Sequence, residues 1–283
     1  MDSGTNPHVE PPADPPVDAA ADPLADDLVG QARRLVRDRF PEALGAVLGG
    51  SAATGRAGPL SDLDLAVLVP GTAGAHRETV RYEGRIAELF VHTGTGLAEL
   101  FAADRASRRP VLPYLYAEGL VLLDREGAAG EARARAVALL DEGPPPLPAP
   151  SVETRRYGLT DALDDLADAD GRAGRDGRGG REDRHERLAL GGYVLGAAAE
   201  LLCDHRRAWT GGGKWLPRRL RAADPERGTA LLDAHLRLCA DDEAAPLVEA
   251  GGAVLDLVGG PLREGYRRVW EGTIESLAER PGG

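Results

Sequence analysis

Five prolines crowded into residues 143–150 split the chain into two stretches of different apolar periodicity. Proline lacks the N–H that a strand ladder or helix interior needs, so no regular element is expected to run through that segment. Before it, short apolar runs alternate with helical patterns. After it, the apolar spacing is helical throughout. The fold class expected is therefore α/β (α+β): a mixed sheet with helices over residues 24–143, then an all-α helical bundle over 150–283. Residues 1–23 are rich in Pro, Ala and Asp and almost lack large apolar side chains, the composition of a disordered tail.

Within the first stretch, Leu24, Leu28, Val29, Ala32, Leu35, Val36 and Phe40 keep a helical period that Pro41 ends. Residues 43–48 read as a buried strand. Gly49, Gly50 and Ser51 then open a small-residue loop to Pro59, and 62–69 read as a second strand. Residues 79–82 and 85–92 flank Glu83-Gly84, which suits a tight hairpin. A helix over 97–106, a strand over 119–123 and a helix over 127–140 complete the unit. Beyond the prolines, helices are expected over 152–169, 182–209, 215–222, 228–239, 244–257 and 261–279. The Gly- and Arg-rich 171–180 reads as a mobile loop.

Bulk properties exclude several classes. The net charge is −12, which repels nucleic acid and favours metal ions or cationic small molecules. No apolar run approaches membrane-spanning length. The N-terminus has no basic-then-apolar signal pattern, so a cytoplasmic protein is expected. Two isolated cysteines, Cys203 and Cys239, are too few for a zinc cluster or a disulfide framework.

The most specific feature is Gly50-Ser51, ten residues, then Asp62-Leu63-Asp64-Leu65. A Gly-Ser turn after a strand lets backbone N–H groups and a hydroxyl approach a phosphate closely. Two carboxylates at i and i+2 on a strand point the same way. They suit Mg²⁺, which favours carboxylates together with substrate phosphates. The competing reading is a plain turn followed by a solvated strand face. Gly50-Ser51 with Ser61-Asp62-Leu63-Asp64-Leu65 resembles the signature of the polymerase-β-like nucleotidyltransferases. The resemblance is to the small bacterial type that includes aminoglycoside (kanamycin-like) and lincosamide nucleotidyltransferases with a helical C-terminal domain. It covers roughly residues 44–92. It implies a third carboxylate on a later strand, for which Glu88 is the matching candidate. It also implies two Mg²⁺ ions and ATP or another NTP as co-substrate.

Two further features lie in the second stretch. Of 34 basic residues only Lys214 is lysine, and it follows Gly211, Gly212 and Gly213. An ammonium on a Gly-rich connection suits a phosphate, and the surrounding stretch is similar to one in helical domains of bacterial nucleotidyltransferases; an ordinary solvated loop lysine is the alternative. Asp161, Asp165 and Asp168 fall at i, i+4 and i+7 of one expected helix. That stripe suits a cationic acceptor, or is a solubilising face paired with Arg155 or Arg156.

Together these readings describe an Mg-dependent enzyme that moves a nucleoside monophosphate, AMP from ATP, onto a hydroxyl of a small molecule such as an aminoglycoside-like antibiotic. Asp62, Asp64 and Glu88 are its metal-binding and catalytic candidates, and Gly50, Ser51 and Lys214 its nucleotide-binding ones. Asp161 and Asp165 are the acceptor-binding candidates. The cleft between the two stretches is the expected site, and neither nucleic acid nor membrane is an expected partner. Two alternatives remain: a regulatory or antitoxin-type nucleotidyltransferase acting on a protein partner, and a non-catalytic nucleotide-binding module.

Overall fold

A computed structural model describes residues 23–268 apart from 54, 59, 60, 73 and 177–180. The described chain is α+β, a five-stranded mixed sheet accompanied by helices. By internal contacts it divides into two units: residues 1–97 with 115–133, and 98–114 with 134–283.

The first unit opens with α1 (Pro23–Arg39). Its Leu28, Ala32, Leu35 and Val36 form one buried stripe, as their spacing requires. They pack on β1 (Gly45–Leu48), β2 (Leu63–Leu68) and β4 (Arg85–His92) through Leu48, Leu63, Leu65, Val67, Ala87, Leu89 and Val91. Strand β3 (Ala75–Tyr82) forms a hairpin with β4. Its turn is Glu83-Gly84, and both residues have positive φ (45° and 84°), as a two-residue type I′ turn demands. Gln31 of α1 donates to the carbonyls of Tyr82 and Glu83, tying the helix to that turn.

The sheet order is β3-β4-β2-β1-β5, with β5 at Leu120–Asp124. Strand β2 runs parallel to β4 and antiparallel to β1. The short helix α2 (Gly50–Ala53) lies where a loop was expected. Helix α3 (Gly94–Ser107) follows β4, and the expected helix over 127–140 is α5 (Ala128–Glu142), capped by Asp124. A helix the periodicity did not suggest, α4 (Val111–Glu118), holds Pro113 in its first turn, where proline is tolerated.

The second unit is helical. Leu159, Leu163 and Leu166 of α6 (Ala149–Asp176) are buried with Val194, Leu201 and Leu202 of α7 (Arg181–His205). Helices α8 (Leu216–Ala223), α9 (Pro225–Asp241) and α10 (Ala245–Asp256) complete this core through Leu220, Leu231, Leu238, Leu247 and Val254.

Three expectations are corrected here. Helix α6 continues through Gly171 to Asp176, because a glycine lowers helix propensity by only about 1 kcal/mol and need not end a helix; 177–180 lie outside the described residues. Helix α7 stops at His205 rather than at 209: Arg207 turns left-handed (φ 52°), and the Ala208 N–H closes back on the Cys203 carbonyl, a helix-ending geometry. Residues 261–268 are not helical. Arg156 takes the carbonyls of Gly259, Gly260 and Pro261, and Tyr266 stacks on Tyr157 at 4.1 Å, so the chain is held by α6 instead. The rest of that expected helix lies outside the described residues.

Candidate active site

Parallel pairing of β2 with β4 sets Asp64 directly opposite Glu88. Asp62 precedes β2 by one residue and falls on the same face as Asp64. Ligand-capable oxygens of Asp62, Asp64 and Glu88 all lie within 4.8 Å of one another, and each residue is half-buried. The opposite faces of the same strands are the apolar layer beneath α1, so the alternation of each strand fixes which side carries the acids.

The Gly-Ser turn is built against this cluster. The Gly49 N–H donates to the Asp64 carbonyl at 2.8 Å. Gly50 has φ 65°, and a β-carbon placed on it would overlap the Asp64 carboxylate. Both facts require glycine here. Ser51 Oγ donates to Ser61 Oγ at 3.1 Å, and Ser61 Oγ accepts from the Gly58 N–H at 2.9 Å. Arg85 donates to the Ser61 carbonyl at 2.6 Å, fixing the approach to Asp62.

The sequence reading missed Arg77. On β3 it stands opposite Phe90, while Thr79 stands opposite Glu88. Its guanidinium donates to Glu88 Oε2 at 2.6 Å and lies 4.9 Å from the centre of the Phe90 ring. The hairpin register, once known, would have revealed it, because diagonal cross-strand neighbours are within reach of long side chains.

Further along the same face of β4, His92 is fully buried and its Nε2 lies 2.7 Å from the Tyr116 hydroxyl. Burial pushes the imidazole pKa down to about 4, so it is neutral at physiological pH.

The three carboxylates fit a divalent cation. A point among their oxygens lies within about 3 Å of each, so small side-chain rotations reach the roughly 2.1 Å that Mg²⁺ prefers. Their mutual repulsion gives the cation its electrostatic purpose, and Arg77 offsets part of that repulsion in this structure.

The other candidates belong to the second unit. Lys214 is exposed on a single 3₁₀ turn, Gly213–Trp215. The root of its loop is fixed: the Trp209 indole donates to the Leu140 carbonyl, and Thr210 donates twice to the Arg108 carbonyl. Arg218 lies 5.0 Å from the Trp215 ring, and Arg219 lies 3.3 Å from the ring of Tyr114. Asp161, Asp165 and Asp168 are exposed on α6. Neither Arg155 nor Arg156 neutralises them. Arg155 pairs with Glu200 and Asp204, and Arg156 binds backbone carbonyls. Asp164, between them, pairs with Arg263.

A glycine turn packed against the Asp64 carboxylate, with Asp62 and Glu88 beside it on a mixed sheet backed by a helix, offers room for a divalent cation and the phosphates it carries. The family comparison agrees. Residues 29–94 match the family described as "Nucleotidyltransferase domain", so the chain carries such a domain and its general chemistry is transfer of nucleotidyl groups. Among solved structures the chain is similar to a nucleotidyltransferase-like protein from Exiguobacterium sibiricum 255-15. Identity is 13%, over 80% of this chain and 74% of that one, with a TM-score of 0.36. No curated protein matches the chain. Among the described residues, no helix is long and apolar enough to cross a membrane.

Proposed function

We propose that the protein transfers AMP from ATP onto a hydroxyl of a cationic small molecule of the aminoglycoside kind, releasing pyrophosphate. The observation that carries this reading is the convergence of Asp62, Asp64 and Glu88 beside the Gly50-Ser51 turn. Asp62 and Asp64 would hold two Mg²⁺ ions, with Glu88 completing the ligand set. Mg²⁺ held there would supply positive charge to the phosphates; in the transfer the acceptor oxygen bonds to the α-phosphorus and pyrophosphate leaves. Glu88 orients the acceptor hydroxyl and takes up its proton.

Backbone N–H groups at Gly50 and Ser51 and the Ser51 hydroxyl hold the β- and γ-phosphates. Lys214 adds a compact charge to the triphosphate. The exposed stripe Asp161, Asp165 and Asp168 takes the ammonium groups of the acceptor, a role supported by its lack of arginine partners among the described residues.

The test is incubation of the full chain with Mg²⁺ and ATP labelled at the α- or the γ-phosphate, against a panel of hydroxyl-bearing cationic antibiotics and candidate proteins. The α-label should move to a small molecule and the γ-label should leave as pyrophosphate. Transfer of the γ-label would mean phosphoryl transfer and overturn the proposal. An α-label on a protein instead would move the reading to protein modification.

A further inference from the structure

We infer that Arg77 is a partner-exchanging residue, bound to Glu88 when the metal site is empty and to nucleotide phosphate when it is filled. The inference rests on the metal-binding reading above. Glu88 has an oxygen within 4.8 Å of oxygens of both aspartates, and in the same structure another Glu88 contact is the Arg77 guanidinium at 2.6 Å. A carboxylate held by a bidentate-capable cation is less available to a second cation. Metal and Arg77 therefore compete for Glu88.

Displacement is easy by construction. The Arg77 side chain is 59% exposed and sits on β3, an edge strand, so it is open to solvent among the described residues. The pair is a weak one of the surface kind. The guanidinium has a second hold, the face of Phe90 at 4.9 Å, which keeps it over the site whichever anion it binds. Phosphates on ions that those three acids would hold would lie beside Glu88, which Arg77 already touches. A guanidinium accommodates phosphate oxygens as readily as a carboxylate. Arg77 thus shields an empty, self-repelling acid cluster and later contributes charge to the substrate.

The alternative is that Arg77–Glu88 merely staples the hairpin. Binding of Mn²⁺ alone to the full chain, followed by the paramagnetic resonance of free Mn²⁺, separates the two. Arg77→Gln should bind Mn²⁺ roughly two- to fivefold more tightly than wild type, the range a surface ion pair permits. With Mn²⁺ saturating, the same variant should bind a non-hydrolysable ATP analogue roughly tenfold more weakly, and Arg77→Lys should recover part of that loss. Thermal melts check that both variants fold. Unchanged or weaker Mn²⁺ binding by folded Arg77→Gln overturns the exchange, as does unchanged analogue binding. Asp64→Asn is the reference. If it loses Mn²⁺ while Arg77→Gln behaves as wild type, this inference alone fails. If Asp64→Asn binds Mn²⁺ like wild type, the metal reading fails, and the inference with it.

Discussion

The protein carries two groups of acids, and they differ in how they are arranged in space. Asp62, Asp64 and Glu88 come from neighbouring parallel strands, and their oxygens converge to within 4.8 Å. Asp161, Asp165 and Asp168 come from one helix, where residues four and seven apart are displaced along the axis by about 6 and 10 Å. The first group can share one ion. The second presents a row of separate charges to solvent, suited to a ligand with several spaced ammonium groups. Strand pairing focuses charge on a point and a helix spreads it along a line, so the two groups should respond differently to the same Asp→Asn change.

The largest contrast is expected at the focus. Asp62→Asn or Asp64→Asn should lower transfer by more than about a hundredfold, since loss even of groups that merely orient metal ligands costs ten- to a hundredfold. The fold should survive, as judged by an unchanged melting profile. Gly50→Ala should approach the same loss, because its methyl group would displace the Asp64 carboxylate. Near wild-type turnover in any of the three breaks the comparison.

Lys214→Ala should weaken ATP binding roughly ten- to a hundredfold, and Lys214→Arg should restore it incompletely, read by direct titration. Equal affinity of Lys214→Arg and wild type would remove lysine's special place.

A pH series tests the scaffold rather than the acids. The folded pKa of His92, about 4, lies below its ordinary 6.5, so the unfolded chain binds the proton more tightly. His92 therefore favours the native state fully above pH 6.5, and the advantage is lost as pH falls toward 4. Between pH 7 and 5 the loss should be roughly 2 kcal/mol. Denaturant melts of His92→Gln should show a shallower fall over that window.

The smallest effect belongs to the stripe. Asp161→Asn with Asp165→Asn should raise the acceptor KM by roughly two- to fivefold, leaving kcat and the ATP KM in place. An unchanged acceptor KM would make α6 a solvated face.

The sheet was legible in the sequence because each element there has a strong local cause: the α1 stripe, the Glu83-Gly84 turn, and the alternation that puts Asp62 and Asp64 on one face. Glu88 was named through the family resemblance, on the expected strand 85–92; its place opposite Asp64 depends on the parallel pairing of β2 with β4. Arg77 was not legible, because its contact depends on the exact register of a hairpin whose first strand begins at Ala75, earlier than its apolar pattern shows. Helix α4 was hidden because Pro113 interrupts a short apolar run that shows no helical period. The ion pair of Arg108 with Asp204, at 2.6 Å and almost wholly buried, joins residues 96 positions apart and leaves no local signature.

The central claim is that three strand carboxylates form a metal centre for nucleotidyl transfer. The most direct measurement is transfer of α-labelled ATP by the full chain, with and without Mg²⁺, in wild type and in Asp62→Asn, Asp64→Asn and Glu88→Gln. The account predicts that label moves to a small-molecule acceptor only with Mg²⁺ and wild-type protein. Transfer that persists without divalent metal, or in the aspartate variants, would contradict it.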